Sequence, residues 1–167
     1  FLGLSAIPSD HRLNMGILGM HGNLGPNVMT NQCDLLIAVG MRFDDRVTGN
    51  LSSYAKQAKV IHFDIDPAEM DKNVKTSVKV LGDAKVTLPM ITEMIADNTH
   101  DEWLQTFRDY DKIENDKVVQ AELFPTNGGQ IKMGEVVNKV TEATGNKAIC
   151  VTDVGQHQMI SSRYFKF

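Results

Sequence analysis

Four charged side chains fall within five positions of this sequence, directly after an apolar run. Arg42, Asp44, Asp45 and Arg46 follow the run 35–39 and the glycine Gly40. The run predicts a buried parallel strand, and ligands bind at the carboxyl ends of such strands. Guanidinium groups there suit a phosphate or carboxylate, because each can donate two parallel hydrogen bonds. The alternative is a solvated loop whose charges cancel and contribute little.

Two further predicted strands end in acidic residues. The run 59–66 carries Asp64 and Asp66 at its end, and the shorter run 78–81 is followed by Asp83. An acidic side chain at such a position can accept hydrogen bonds from ribose hydroxyls. Three strand ends therefore carry polar groups suited to a nucleotide.

Helical patterns lie between and after these strands. A short helical connection is predicted over 50–58, and Asp83 is a candidate cap for a helix over 84–96. Pro89 fits poorly inside that helix, so its first turn is expected to begin later. Residues 101–119 predict an amphipathic helix with an apolar core stripe of Trp103, Phe107, Tyr110 and Ile113. The order predicts an α/β fold, with a parallel sheet and helices on both faces.

A second unit is predicted after a linker of turn residues at 121–130. A helix from Met133, a strand over 148–152 and a helix from Gln156 form an αβα piece of another α/β domain. Backbone N–H groups at the start of the last helix favour anions, and Gln156 and His157 could add donors. An ordinary turn with a polar cap is the alternative.

Two histidines have contrasting positions. Glycines at 16, 19, 22 and 25 surround His21, and a glycine loop lets backbone approach a ligand closely. His21 is therefore either a ligand contact or a structural loop residue. His62 lies inside a predicted strand, which favours a hydrogen-bonded core histidine.

Composition excludes several classes of protein. The 167 residues carry a net charge of −4, so no nucleic-acid partner is expected, and no apolar run is long enough for a membrane. Cys33 and Cys150 are expected to be buried free thiols, consistent with a reducing cytoplasm. No Cys or His pair has metal-ligand spacing, so no metal site is expected in this chain. Phe1 at the start and Phe167 at the end are expected to reflect a fragment of a longer protein.

Several motifs together resemble the catalytic subunits of the acetohydroxyacid synthase (acetolactate synthase) family. They are Leu18-Gly19-Met20-His21-Gly22, the block Arg42 to Gly49, the run His62 to Pro67, Gly82-Asp83, and Val154 to Met159. The resemblance implies residues 1–120 as most of a Rossmann-like central FAD-binding domain lacking its first strands. It also implies residues 131–167 as the start of a C-terminal thiamine-diphosphate domain.

The resemblance also implies roles for particular residues. FAD would be lined by Leu18, Gly19, Met20, His21, Gly22, Gly40, Met41, Arg42, Asp44, Arg46, Val47, Asp64, Ile65, Asp83 and Ala84. Asp45 and Arg46 would face the substrate and inhibitor channel, where a 2-oxo acid needs a cationic fork. Gln156, His157 and Met159 would approach thiamine diphosphate.

The implied activity is the condensation of two 2-oxo acids with loss of CO2, in the synthesis of valine, leucine and isoleucine. Pyruvate would combine with pyruvate or 2-oxobutyrate. FAD, thiamine diphosphate and Mg²⁺ are the implied cofactors, and a homo-oligomer with a regulatory subunit is the implied assembly. The family's activating glutamate and its Gly-Asp-Gly metal motif do not occur in this sequence, so the chain alone is expected to be inactive and to contain no catalytic residue.

Two other hypotheses stay open at this point. One is a related thiamine-diphosphate carboligase, such as glyoxylate carboligase, with the same domain order. The other is a non-catalytic nucleotide-binding module, which the segment Gln156-His157 disfavours. An ordinary NAD dehydrogenase is disfavoured because the G-x-G-x-x-G fingerprint does not occur.

Overall fold

The computed structural model of the protein describes residues 3–124 and 129–167. These residues divide into two compact units. One unit is formed by residues 27–101, and the other by the described residues of 1–26 and 102–167. Residues 125–128 of the predicted linker lie outside the described part of the chain.

The unit of residues 27–101 is built on a three-stranded parallel sheet in the order β1-β2-β3. The strands are β1 Leu35–Val39, β2 Lys59–Asp64 and β3 Val78–Leu81. Leu35 is paired with Lys59 at one end of the register, and Asp64 is paired with Leu81 at the other. The predicted α/β class with an open parallel sheet is confirmed.

Aspartate side chains cap three of the helical segments in this unit. Helix α1 is Leu24–Thr30, of which residues 27–30 belong to this unit, and α2 is Asp45–Thr48, which is capped by Asp44. A 3-10 turn over Pro67–Glu69 follows β2, and α3 is Ala84–Thr92. The Asp83 carboxylate accepts a hydrogen bond from Lys85 N at 2.8 Å, so the predicted cap of α3 is confirmed.

The other unit is helical. Helix α4 Asp101–Glu114 continues through a π-helical turn Asn115–Val119 into α5 Gln120–Leu123, and α6 Met133–Thr144 and α7 Gln156–Tyr164 follow. Gly145 is the C-cap of α6, and its φ of 57° is the left-handed conformation that glycine adopts without cost. No helix among the described residues has the length and apolar character needed to span a bilayer.

Several local predictions are wrong. Residues 148–152 form no strand, and Ile149 and Val151 are 92% and 89% exposed, because an apolar run needs a partner strand before it can form a ladder. Residues 50–58 form turns instead of a helix. Helix α3 begins directly after Asp83 and ends at Thr92, so Pro89 lies inside the helix without delaying its start.

Burial also differs from the sequence prediction at several positions. Strand β1 is covered on one face only, because Leu35, Ile37 and Val39 are 42–50% exposed while Ala38 is buried. In the stripe of α4, Trp103 and Ile113 are exposed and the buried residue of the helix is Glu114. Cys33 is buried as predicted, whereas Cys150 is exposed because the segment around it forms no strand.

Candidate cofactor site

The carboxyl edge of the sheet brings together the polar groups that follow each strand. Because the three strands are parallel, the loops after them emerge at one edge. The backbone ladder extends one residue past two of the strands: Gly40 N donates to Phe63 O at 2.8 Å and Gly82 N donates to Asp64 O at 2.9 Å. The structure therefore places most of the sequence-predicted site at this edge: Gly40, Met41, Arg42, Asp44, Asp45, Arg46, Val47, Asp64, Ile65, Asp83 and Ala84.

Phe43 determines which way the charged loop faces. Its φ of 51° is rare for a residue with a side chain, and its ring is only 2% exposed. The ring packs edge-on against His62, at 5.1 Å between centroids, and against Tyr54, at 6.3 Å. Since Phe43 turns into the core, its charged neighbours are left outside, and the Arg42 side chain is 71% exposed.

Asn73 holds this loop from a distant part of the chain. Its side-chain nitrogen donates to Arg42 O and Phe43 O, at 3.1 Å in both cases. The two carbonyls lie on either side of the strained Phe43 backbone, so one amide group holds the turn. Asn73 is not among the predicted site residues, because an asparagine 30 or 31 positions away has no local pattern that would reveal the contact.

The guanidinium groups of the charged loop are accessible to solvent. The Asp44 carboxylate accepts from Arg46 N at 3.0 Å and lies 3.4 Å from Arg42 Nε. Arg46 is 67% exposed, and Asp45, at 4.0 Å from its Nε, is 86% exposed. Two guanidinium groups on a fixed backbone can therefore bind an anionic ligand with little reorganisation.

The acidic strand ends each use one carboxylate oxygen within the chain. Asp64 Oδ1 accepts from Asp66 N at 2.9 Å, and Asp83 Oδ1 accepts from Lys85 N. Asp64 Oδ2 lies 3.5 Å from His62 Nε2, and the Asp64 side chain is 11% exposed. These bonds orient both carboxylates, which can then accept hydrogen bonds from ligand hydroxyls.

His62 is a core residue, as predicted, but its predicted hydrogen bonding is wrong. It is fully buried, and neither ring nitrogen has a hydrogen-bond partner within residues 3–124 and 129–167. Its contacts are the Phe43 ring and the Asp64 carboxylate, which is just beyond hydrogen-bond geometry.

The glycine loop of the other unit is tightly turned. We call Gly19 to Asn23 the His21 loop. Gly22 N donates to Gly19 O at 2.9 Å, and a Cβ at Gly22 would lie 2.2 Å from Ile17 O, so only glycine fits there. Within this loop His21 is half-buried and Met20 is 64% exposed. Both side chains are accessible to a ligand.

The start of α7 carries the remaining predicted residues. Gln156 and His157 are exposed, and Met159, one turn after Gln156, is half-buried. Gly155 is the N-cap residue of α7: its backbone O accepts from Gln158 N at 3.1 Å, and no side chain caps the helix. Among the residues that the structure describes, no group of three or more His, Cys, Asp or Glu could hold a metal ion.

Comparison with known proteins identifies the family. The family described as "Thiamine pyrophosphate enzyme, central domain" matches residues 1–91, more than half of the chain. This chain belongs to the thiamine pyrophosphate enzymes. The thiamine-diphosphate enzyme family implied by the motifs is thereby confirmed.

Individual relatives within this family agree with one another. The chain is 36% identical to the acetolactate synthase isozyme 3 large subunit of Escherichia coli, over 99% of this chain and 29% of the relative. It is 38% identical to the probable acetolactate synthase large subunit of Methanocaldococcus jannaschii, over 99% of this chain and 28% of the relative. It is 37% identical to acetolactate synthase 1, chloroplastic, of Oryza sativa subsp. japonica, over 99% of this chain and 26% of the relative. The chain thus spans less than a third of the length of these relatives.

Proposed function

We propose that this chain is the part of an acetolactate synthase large subunit that binds FAD and contacts thiamine diphosphate. The observation that carries the proposal is the loop from Gly40 to Arg46, held by Asn73 and by the buried Phe43 with both guanidinium groups outward. The similarity to acetolactate synthase large subunits along nearly the whole chain supports it.

The sheet edge fits FAD on chemical grounds. The exposed guanidinium groups of Arg42 and Arg46 match the charge of a pyrophosphate, and the oriented carboxylates of Asp64 and Asp83 match ribose hydroxyls. Gly40 leaves open space where a side chain would begin. In the other unit, the His21 loop and Leu18 are proposed as FAD-binding residues.

Thiamine diphosphate is proposed to meet the beginning of α7. When bound, it supplies the nucleophilic carbon that lets a 2-oxo acid lose CO2 and join a second one. Gln156 and His157 are proposed to orient this cofactor by hydrogen bonds, and Met159 by apolar contact. Their roles are binding and orientation.

The substrates that we propose are 2-oxo acids, and Arg46 is the residue assigned to their carboxylate. Its side chain is 67% exposed beside Asp45, so it is available to a second anion. The products would be the acetohydroxy acids from which branched-chain amino acids are made. We further propose a cytoplasmic catalytic subunit that assembles with its own copies and with a regulatory subunit, in line with the "large subunit" in the relatives' names.

Titration with FAD, followed by flavin fluorescence, tests the proposal. Arg42→Ala removes a charge-assisted contact, which is worth about 1.5–3 kcal/mol, so the Kd for FAD is expected to rise about tenfold or more. Lys56→Ala removes an exposed positive charge from the same unit away from the sheet edge and is the matched control. Equal affinities of the two variants would move the flavin site away from Arg42.

A further inference from the structure

A buried ion pair lies against the His21 loop, and none of the predicted functions uses it. Glu114 at the end of α4 and Arg163 in α7 have side chains that are only 8% and 19% exposed. Arg163 Nη2 donates to Glu114 Oε1. A buried ion pair adds little to stability by itself, because desolvation offsets the attraction. The remaining bonds of the two side chains therefore decide what the pair does.

Those remaining bonds go to the His21 loop and to the residue after it. Arg163 Nη1 donates to Gly22 O at 3.3 Å. Glu114 Oε2 accepts from Leu24 N at 3.1 Å and from Asn23 Nδ2 at 3.2 Å. Three consecutive residues are thus bonded to one pair of charges, Gly22 and Leu24 through the backbone and Asn23 through its side chain.

Asn23 carries the constraint to the start of the loop. Its side-chain oxygen accepts from Ile17 N at 2.9 Å, and its backbone N donates to Ile17 O at 2.7 Å. Gly22 has no room to move toward Ile17, as the 2.2 Å approach of a Cβ shows. A shift of the ion pair therefore has to move the whole turn that carries His21.

We propose that Glu114 and Arg163 are positioning residues that fix the backbone of the His21 loop and thereby direct Met20 and His21 at their ligand. The proposal rests on the proposed function for the identity of that ligand, FAD. It also links the loop to α7, because Arg163 belongs to the helix that begins with Gln156. The pair acts through the loop and is not assigned a contact with the cofactor.

The test separates positioning from stability. Arg163→Met leaves the Glu114 carboxylate buried without its partner, so both the unfolding midpoint and the FAD affinity are expected to fall. Adding Glu114→Leu removes the stranded charge, so the double variant is expected to regain most of the midpoint while its Kd for FAD stays at least tenfold weaker. Glu142→Gln, which removes an exposed carboxylate paired with Lys139, is the matched control.

Arg163→Lys provides a second measure that does not depend on folding of the double variant. It keeps the charge beside Glu114 but has a single nitrogen in place of the planar fork, whose two nitrogens reach Glu114 Oε1 and Gly22 O separately. We expect an unchanged midpoint with weaker FAD binding. Recovery of FAD affinity in step with stability across these variants would overturn the proposal.

Amide hydrogen exchange at Asn23 and Leu24 gives a readout that needs no flavin. Exchange is expected to accelerate in Arg163→Lys and in the double variant, but not in Glu142→Gln. Unchanged exchange would overturn the positioning role. If the unaltered protein binds no FAD while exchange accelerates as expected, the proposed function fails and the positioning of the loop stands.

Discussion

Replacing Asn73 by alanine is expected to destabilise the protein by releasing the loop from Gly40 to Arg46, which lies about 30 residues earlier in the sequence. The change removes two hydrogen bonds, from Asn73 Nδ2 to Arg42 O and to Phe43 O. Each bond is worth about 1 kcal/mol net, and solvent at this exposed position replaces part of it. The φ of 51° at Phe43 then has to be held by packing of its ring alone. We expect a loss of about 1–2 kcal/mol in the free energy of unfolding.

Urea and thermal unfolding measure this loss. For a chain of this size, about 1–2 kcal/mol corresponds to a decrease of roughly 2–8 °C in Tm. Asn98→Ala is the matched control, because Asn98 is exposed in the same unit and away from the sheet edge. Asn73→Asp keeps the size of the side chain but replaces the donor by an acceptor that faces two carbonyls, so it is expected to lose at least as much.

The reasoning has a clear point of failure. If Asn73→Ala is within about 0.5 kcal/mol of Asn98→Ala, the two bonds do not hold the loop. A fully stable Asn73→Asp would lead to the same conclusion, because that variant cannot donate to either carbonyl. In both cases the ring of Phe43 would be the sole determinant of the loop conformation.

Three further outcomes are expected. The hydrogen bond from Lys79 lowers the pKa of the Asp71 carboxyl below its ordinary 3.8, so the stability that the ionised Asp71 contributes is present above pH 3.8 and is lost below it. Asp71→Asn should therefore lower the unfolding midpoint at pH 7, and the difference from the unaltered protein should vanish in acid. A difference that does not change with pH would contradict this. Burial raises the pKa of Tyr54 to about 12, so stability should fall as the pH rises above 10, and Tyr54→Phe should be less sensitive in alkaline unfolding. Burial also raises the pKa of the Cys33 thiol, so iodoacetamide should label the exposed Cys150 first in the native chain, which mass spectrometry of tryptic peptides would show.

The three strands and the helix cap at Asp83 could be predicted because their signals are local. Apolar runs bounded by glycine or acidic residues locate β1, β2 and β3, and an Asp before a helical pattern satisfies backbone N–H groups within two residues. The placement of the charged loop at the sheet edge follows from strand order alone. These predictions needed no knowledge of which distant residues meet.

Other failed or missed predictions concern contacts between distant positions. The segment 148–152 has the composition of a strand, but nothing local supplies the neighbour to which its backbone must bond. Asn73 and the pair Glu114–Arg163 reach their loops across 30 to 141 positions, with no spacing rule to indicate it. The core position of His62 is confirmed, yet whether a buried ring finds hydrogen-bond partners depends on the side chains around it.

The distance in sequence between Asn73 and the loop it holds has a consequence for the order of folding. The bonds to Arg42 and Phe43 close a loop of about thirty residues that contains all of β2. Loops of that length cost entropy to close, and pairing of β2 with β1 shortens the distance that Asn73 has to bridge. During synthesis the charged loop is made about 30 residues before Asn73, which holds it in the folded protein. We therefore expect the charged loop to reach its native backbone conformation late, as one of the last steps in the assembly of this sheet.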